Sequence, residues 1–79
     1  MRIDKFLKVS RIIKRRTIAN EACEAGRVLI NDKVAKASAA VKIGDIIEVR
    51  FGTNFVRAEV LSLKETTKKE EAGELYKLL

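Results

Sequence analysis

Arg15-Arg16-Thr17-Ile18-Ala19-Asn20-Glu21-Ala22-Cys23-Glu24-Ala25-Gly26-Arg27-Val28-Leu29-Ile30-Asn31-Asp32-Lys33-Val34-Ala35 changes rhythm halfway along its length. Its first half is helical. Thr17 is a good N-cap, Ile18, Ala19, Ala22 and Cys23 supply an apolar side, and the helix runs to about Ala25. Gly26 stands where a helix end calls for a residue in the left-handed region. The second half is extended. Arg27 to Ile30 reads as a strand, Asn31-Asp32 as a tight turn whose residues both tolerate positive φ, and Lys33 to Ala35 as the returning strand. A helix that feeds directly into a hairpin selects an α+β arrangement over an all-helical one.

The extended rhythm continues downstream. Lys36 to Ala40 is a connection of small residues, and Val41-Lys42-Ile43 leads into a second turn at Gly44-Asp45. Ile46 to Phe51 alternates Ile47, Val49 and Phe51 against Ile46, Glu48 and Arg50, the period of a strand with one buried face. Gly52-Thr53-Asn54 turns, and Phe55 to Leu63 forms a further strand. In the tail, Thr67 and Glu70 have capping-box spacing, and Ala72, Leu75, Tyr76 and Leu79 fall at i, i+3, i+4 and i+7. That stripe predicts a C-terminal helix docked on the sheet, with a partner-binding helix as the alternative. Upstream, residues 3 to 9 form a short helix, with Ile3, Phe6 and Leu7 on one side and Arg2, Lys5 and Lys8 at three-residue spacing on another. The expected chain is a single domain over residues 1–79. Its core motif covers about 1–50, and an extra strand and a C-terminal helix occupy about 51–79. Two N-terminal helices pack on a small twisted, mainly antiparallel sheet.

Charge is segregated along the chain. The first twenty residues hold Arg2, Lys5, Lys8, Arg11, Lys14, Arg15 and Arg16 against the single acid Asp4, which accounts for the whole net charge of +6. From Glu21 onward basic and acidic residues balance. A surface that meets only water has no reason to separate charge in this way, whereas one that meets a polyanion does. The basic triplet Lys14-Arg15-Arg16 also lies at the amino end of the second helix, where backbone N–H groups and the helix dipole favour anions.

Other classes are disfavoured. The chain has no histidine, which removes the commonest general base and metal ligand. No glycine-rich phosphate loop and no nucleophile–base constellation is visible, so no enzyme, cofactor or metal is expected. The lone Cys23, next to Ala22, reads as an inert packed thiol in a reducing cytoplasm. No apolar run approaches the roughly 20 residues of a membrane span, and the basic N-terminus lacks the unbroken apolar stretch of a signal peptide. A cytoplasmic protein is expected, and nothing demands more than a monomer. The four aromatics Phe6, Phe51, Phe55 and Tyr76 fit apolar positions, and none lies in the basic stretch, so no stacking platform for splayed bases is expected. Recognition of folded RNA by shape and phosphate contact remains, for which the arginine fork is suited.

Several short pieces together resemble the S4 RNA-binding domain. They are Arg2-Ile3-Asp4-Lys5-Phe6-Leu7, Ser10-Arg11, Arg15-Arg16-Thr17, Ala22, Gly26-Arg27-Val28, Ile30-Asn31, Lys36-Ala37-Ser38, and Val41 to Val49. The S4 pattern usually has Asn-Gly at the first hairpin turn, where this chain has Asn31-Asp32, a turn with some strain. The length, the Arg2–Thr17 stretch and the tail from Lys64 to Ala72 resemble the free-standing S4 factors of bacterial ribosome-associated quality control. That resemblance implies binding to a large ribosomal subunit obstructed by peptidyl-tRNA, contacts with large-subunit rRNA and tRNA, and support of a quality-control tailing factor that adds C-terminal alanine to stalled chains. It implies no bond chemistry by the S4 protein itself.

The expected RNA face comprises Arg2, Lys5, Lys8, Arg11, Lys14, Arg15 and Arg16, extended by Lys36 and Ser38 from the connection after the first hairpin. Asp4 has two readings, a helix-start acid or an orienter of a neighbouring basic side chain, of which the first is preferred. Two other functions remain open. One is a constitutive ribosome-associated or ribosome-assembly S4 protein. The other is a DNA-binding module built on the two short helices.

Overall fold

A computed structural model describes residues 1–65 and 68–79. Helices α1 (Ile3–Val9) and α2 (Arg16–Glu24) come first, followed by strands β1 (Val28–Ile30), β2 (Lys33–Val34), β3 (Ile46–Phe51) and β4 (Asn54–Val60). A single-turn helix α3 (Lys69–Ala72) and strand β5 (Tyr76–Leu78) end the chain. The five strands form one sheet in the order β2-β1-β3-β4-β5, with every neighbouring pair antiparallel.

The alternation along β3 decides which face of the sheet is covered. Ile47 and Val49 are buried, while Arg50 lies open on the opposite face. Val28 pairs with Val49, and Ala58 with Ile47, so the apolar side chains of three strands align on one side. Ile3, Phe6 and Leu7 of α1 and Ala19 and Cys23 of α2 pack there in one core cluster. Full burial of each large side chain, Phe6 and Leu7 among them, contributes about 1.5–3 kcal/mol.

Helix ends follow local chemistry. Gly26 has φ +75°, and its N–H donates to the Cys23 carbonyl at 3.0 Å while the Arg27 N–H donates to the Ala22 carbonyl at 3.0 Å. That pair of bonds is the Schellman closure expected of a glycine after the last turn. The start of α2 differs from the sequence expectation. Arg15, not Thr17, occupies the N-cap with extended φ and ψ, and Thr17 lies inside the first turn. The first hairpin turns at Asn31 (φ 50°) and Asp32 (φ 67°), both left-handed as a two-residue hairpin loop requires.

The C-terminal region corrects the expected long helix. Among the described residues of the tail only Lys69–Ala72 is helical; Thr67 of the expected capping box lies outside the described residues. The Leu75 N–H turns back to the Ala72 carbonyl at 3.2 Å, and Tyr76–Leu78 then pair with β4 through Val60↔Tyr76, Glu59↔Lys77 and Ala58↔Leu78. The physical reason is the open edge of β4, whose unpaired backbone groups gain a full ladder from an added strand. Gly73 lowers the competing helical propensity by about 1 kcal/mol relative to alanine. Leu75 still reaches the core as expected, with 1 % of its surface exposed. Strand β4 is also shorter than its expected span to Leu63 and ends at Val60.

Candidate nucleic-acid interface

Helix α1 starts against the 36–40 connection. The Ile3 N–H donates to the Ala39 carbonyl at 2.8 Å, the Asp4 N–H to the Ala37 carbonyl at 3.4 Å, and Arg2 bridges Ala40 in antiparallel fashion. Donors that a helix start leaves unpaired are thus satisfied by a neighbouring loop. The same contacts hold Lys36 and Ser38, both exposed, alongside Arg2 and the amino end of α1, while Ala37 between them is buried.

Asp4 is the centre of a polar cluster between α1 and α2. It is 2 % exposed, and both of its oxygens accept two hydrogen bonds. Oδ1 accepts the Lys5 N–H at 2.8 Å and the Arg16 guanidinium at 3.4 Å. Oδ2 accepts the Arg2 guanidinium at 3.2 Å and the Asn20 amide at 3.5 Å. Arg16 and Asn20 stand one turn apart on α2, so a single helix face delivers two of the four donors. Burial pushes the Asp4 pKa up, but the hydrogen bonds from Asn20, Arg16 and the Lys5 N–H, with the Arg16 charge, outweigh it and hold the carboxyl below its ordinary range. Asp4 is therefore ionised at neutral pH.

Two guanidinium groups share one carboxylate, which leaves an excess of one positive charge at the Arg2–Asp4–Arg16 cluster. Each arginine side chain keeps about half of its surface open, 50 % for Arg2 and 47 % for Arg16. A guanidinium has five N–H donors, and few of them are engaged by Asp4, so outward-facing donors remain for a second anion. The preferred reading of Asp4 as a helix-start acid alone is thus incomplete. It lies in the first turn of α1 and also holds two basic side chains.

The other expected residues divide. Lys8 lies one turn beyond Asp4 on α1 and is exposed. Arg11 follows the end of α1 with φ 61°, a left-handed conformation that swings the chain toward α2 and costs an L-residue about 1 kcal/mol. Lys14 and Arg15 are exposed just before α2. Lys5 is drawn elsewhere, because its ammonium meets the Glu65 carboxylate at 2.6 Å. Sequence reasoning overlooked Asn20, whose i+4 spacing from Arg16 was the available signal. The aromatics that fit apolar positions in their elements are not all covered, since Phe51 is 44 % and Phe55 is 61 % exposed.

Among the described residues no helix is long and apolar enough to cross a membrane, and no group of three or more histidines, cysteines or acids is placed to hold a metal. Cys23 is 2 % exposed, and burial, with the Asp4 and Glu24 charges, pushes its thiol up to about 11.

A helix pair that carries cations on an antiparallel sheet, with a loop laid along its first helix, is a binding module for a polyanion. The chain belongs to the S4 domain family, whose model matches residues 1–47. It is 58 % identical over 79 residues to the RQC P-site tRNA stabilizing factor of Bacillus subtilis, a match covering 100 % of this chain and 92 % of that one. With the RQC P-site tRNA stabilizing factor of Halalkalibacterium halodurans it shares 56 % identity over 78 residues, covering 99 % and 89 %. Among solved structures, the trimeric heat shock protein 15 of Vibrio cholerae superposes with a TM-score of 0.91 at 31 % identity, covering 100 % of this chain and 81 % of that one.

Proposed function

We propose that the protein is a non-enzymatic, cytoplasmic RNA-binding factor of ribosome-associated quality control. It sits on a large ribosomal subunit still obstructed by peptidyl-tRNA, contacts large-subunit rRNA and the tRNA, and supports the partner that extends the stalled chain with C-terminal alanine. The relatives named for stabilizing a P-site tRNA support this reading. The observation that carries it for this chain is the Arg2–Asp4–Arg16 cluster, with two half-open guanidinium groups held by one buried carboxylate. Phosphate oxygens complete that cluster as the missing second anion. Lys8, Arg11, Lys14 and Arg15 extend the contact along the two helices, and Lys36 and Ser38 widen it beside Arg2. Lys5 joins them by exchanging Glu65 for phosphate. The factor acts as a monomer and needs no cofactor or metal.

The test is Arg16→Ala. Arg16 is half open and its ion pair is long, so the substitution leaves the fold intact, as circular dichroism reports. Co-sedimentation with large subunits falls, and the salt dependence of RNA binding loses about one unit of log–log slope from a starting magnitude of roughly 4 to 5 for about five phosphates. Undiminished sedimentation of the folded variant refutes the assignment. Recovery of the wild-type protein on most large subunits, with or without a nascent chain, replaces quality control by a constitutive ribosomal role.

A further inference from the structure

The side of α2 that faces away from Asp4 borders a second cleft, of about 240 Å3, between the helix and the end of β3. Its walls carry Ile18, 48 % exposed, and Phe51, 44 % exposed, with the buried Ile13 behind them. Large apolar side chains left half open around a concavity mark a place that something apolar or planar enters. Arg27 also lines it, against the single acid Glu21, and Arg50 borders it from β3. The Arg50 guanidinium itself is held by Glu48 at 2.7 Å on the opposite face of the sheet.

Chain continuity says what that occupant is. Ile13 and Ile18 bracket the run Lys14-Arg15-Arg16-Thr17, and Glu21 lines both this cleft and the groove of Arg2, Asp4 and Arg16. A polyanion tracking the basic triplet therefore passes the mouth of the cleft. The volume is below that of a site for a drug-sized ligand, and too small for the apolar face of a helix. It accommodates a single planar ring. An aromatic face beside an arginine is an arrangement that receives unstacked bases, and it tolerates any base because each has a π-face.

We propose that this cleft takes one unpaired nucleotide of the RNA held on α1 and α2, its base stacked on Phe51 and its phosphate held at Arg27. The inference rests on the RNA-binding reading above and adds a subsite to it. It makes the protein a reader of an interruption in a helix, a bulge or a loop nucleotide, beyond a binder of duplex contour.

The experiment uses the full chain and two short RNA hairpins at one fixed salt concentration, one perfectly paired and one with a single bulged adenosine. The wild-type protein binds the bulged hairpin about tenfold more tightly, within the range measured for one stacked base. Phe51→Ala and Phe51→Leu both abolish that preference, the second while keeping apolar bulk, and Arg16→Ala weakens both hairpins alike. In Phe51→Trp the indole emission is quenched by the bulged hairpin and not by the paired one. Equal affinities for the two hairpins, with no quenching, overturn the nucleotide subsite and leave the RNA reading standing. Failure of the wild-type protein to bind either hairpin overturns both. Phe51→Ala that keeps its RNA preference but no longer stays on obstructed subunits assigns the cleft to a protein segment and overturns the proposal.

Discussion

Replacing Asp4 by asparagine keeps the shape of the side chain and removes its charge. Simple electrostatics predicts tighter RNA binding, because the net charge rises from +6 to about +7. The geometry predicts the opposite. Both carboxylate oxygens accept two donors. An amide replaces one oxygen with an NH2 group, which sets donor against donor in a site only 2 % exposed. Hydrogen bonds to a charged group contribute about 1.5–3 kcal/mol when buried. The two arginine partners are half open and screened, so their share is discounted to about 0.5 kcal/mol each. With the Lys5 N–H and Asn20 contacts added, the loss is about 2–3 kcal/mol, or roughly 10–20 °C in Tm for a domain of this size. RNA affinity falls about tenfold because Arg2 and Arg16 lose their common anchor, while the salt slope is unchanged because no cation has been removed. The acid limb moves as well. A carboxyl whose folded pKa is depressed stabilises the fold above its unfolded pKa near about 4, and that contribution is lost as pH falls through the folded value. Asp4→Asn lacks this contribution at every pH, so its melting temperature responds less to acid below about pH 4. Thermal melts across pH and filter binding across salt read every part of this. A folded variant that binds RNA as tightly as wild type, or more tightly, refutes the anchoring role.

Three further outcomes follow from packing and backbone geometry. Leu75→Ala opens a cavity under the C-terminal turn and costs about 2–3 kcal/mol in chemical denaturation without altering RNA affinity, since Leu75 is 1 % exposed. Asp32→Gly relaxes the left-handed turn residue at φ 67° and raises stability by about 0.5–1 kcal/mol. Its 3.7 Å ion pair with Arg57 is too exposed to offset that gain, and an unchanged melting temperature counts against strain in the turn. The Cys23 thiol, raised from 9.0 to about 11, favours the fold fully below pH 9 and loses that contribution as pH rises toward 11. The alkaline loss it causes is about 2–3 kcal/mol. Cys23→Ala therefore shows a shallower fall in stability between those limits, and native wild-type protein resists thiol alkylation at pH 8.

Local chemistry was legible residue by residue. Helix α1 begins and ends where the apolar spacing of Ile3, Phe6 and Leu7 places it, and Gly26 and Asn31-Asp32 punctuate the chain through the φ values their side chains permit. The strand β5 was not legible. Ala72, Leu75 and Tyr76 satisfy a helical spacing, and nothing local reports that the edge of β4 lies within reach. Strand addition is a non-local event, so propensity alone decides it poorly. The same limit hid part of the candidate site. The cations could be read from their clustering, but the sharing of Asp4 by Arg2 and Arg16 depends on how α1 crosses α2. Phe51 could be assigned to the apolar face of β3, yet only the fold shows that α2 stops short of covering it.

Met1 is woven into the structure. Its carbonyl oxygen holds the Val41 N–H at 2.9 Å, and the residue after it is one of the two arginines on the buried carboxylate. An affinity tag fused ahead of Met1 therefore emerges beside Arg2, where it crowds incoming RNA and, if rich in acids, competes with it. Purification handles belong behind Leu79, which is exposed at the end of the sheet.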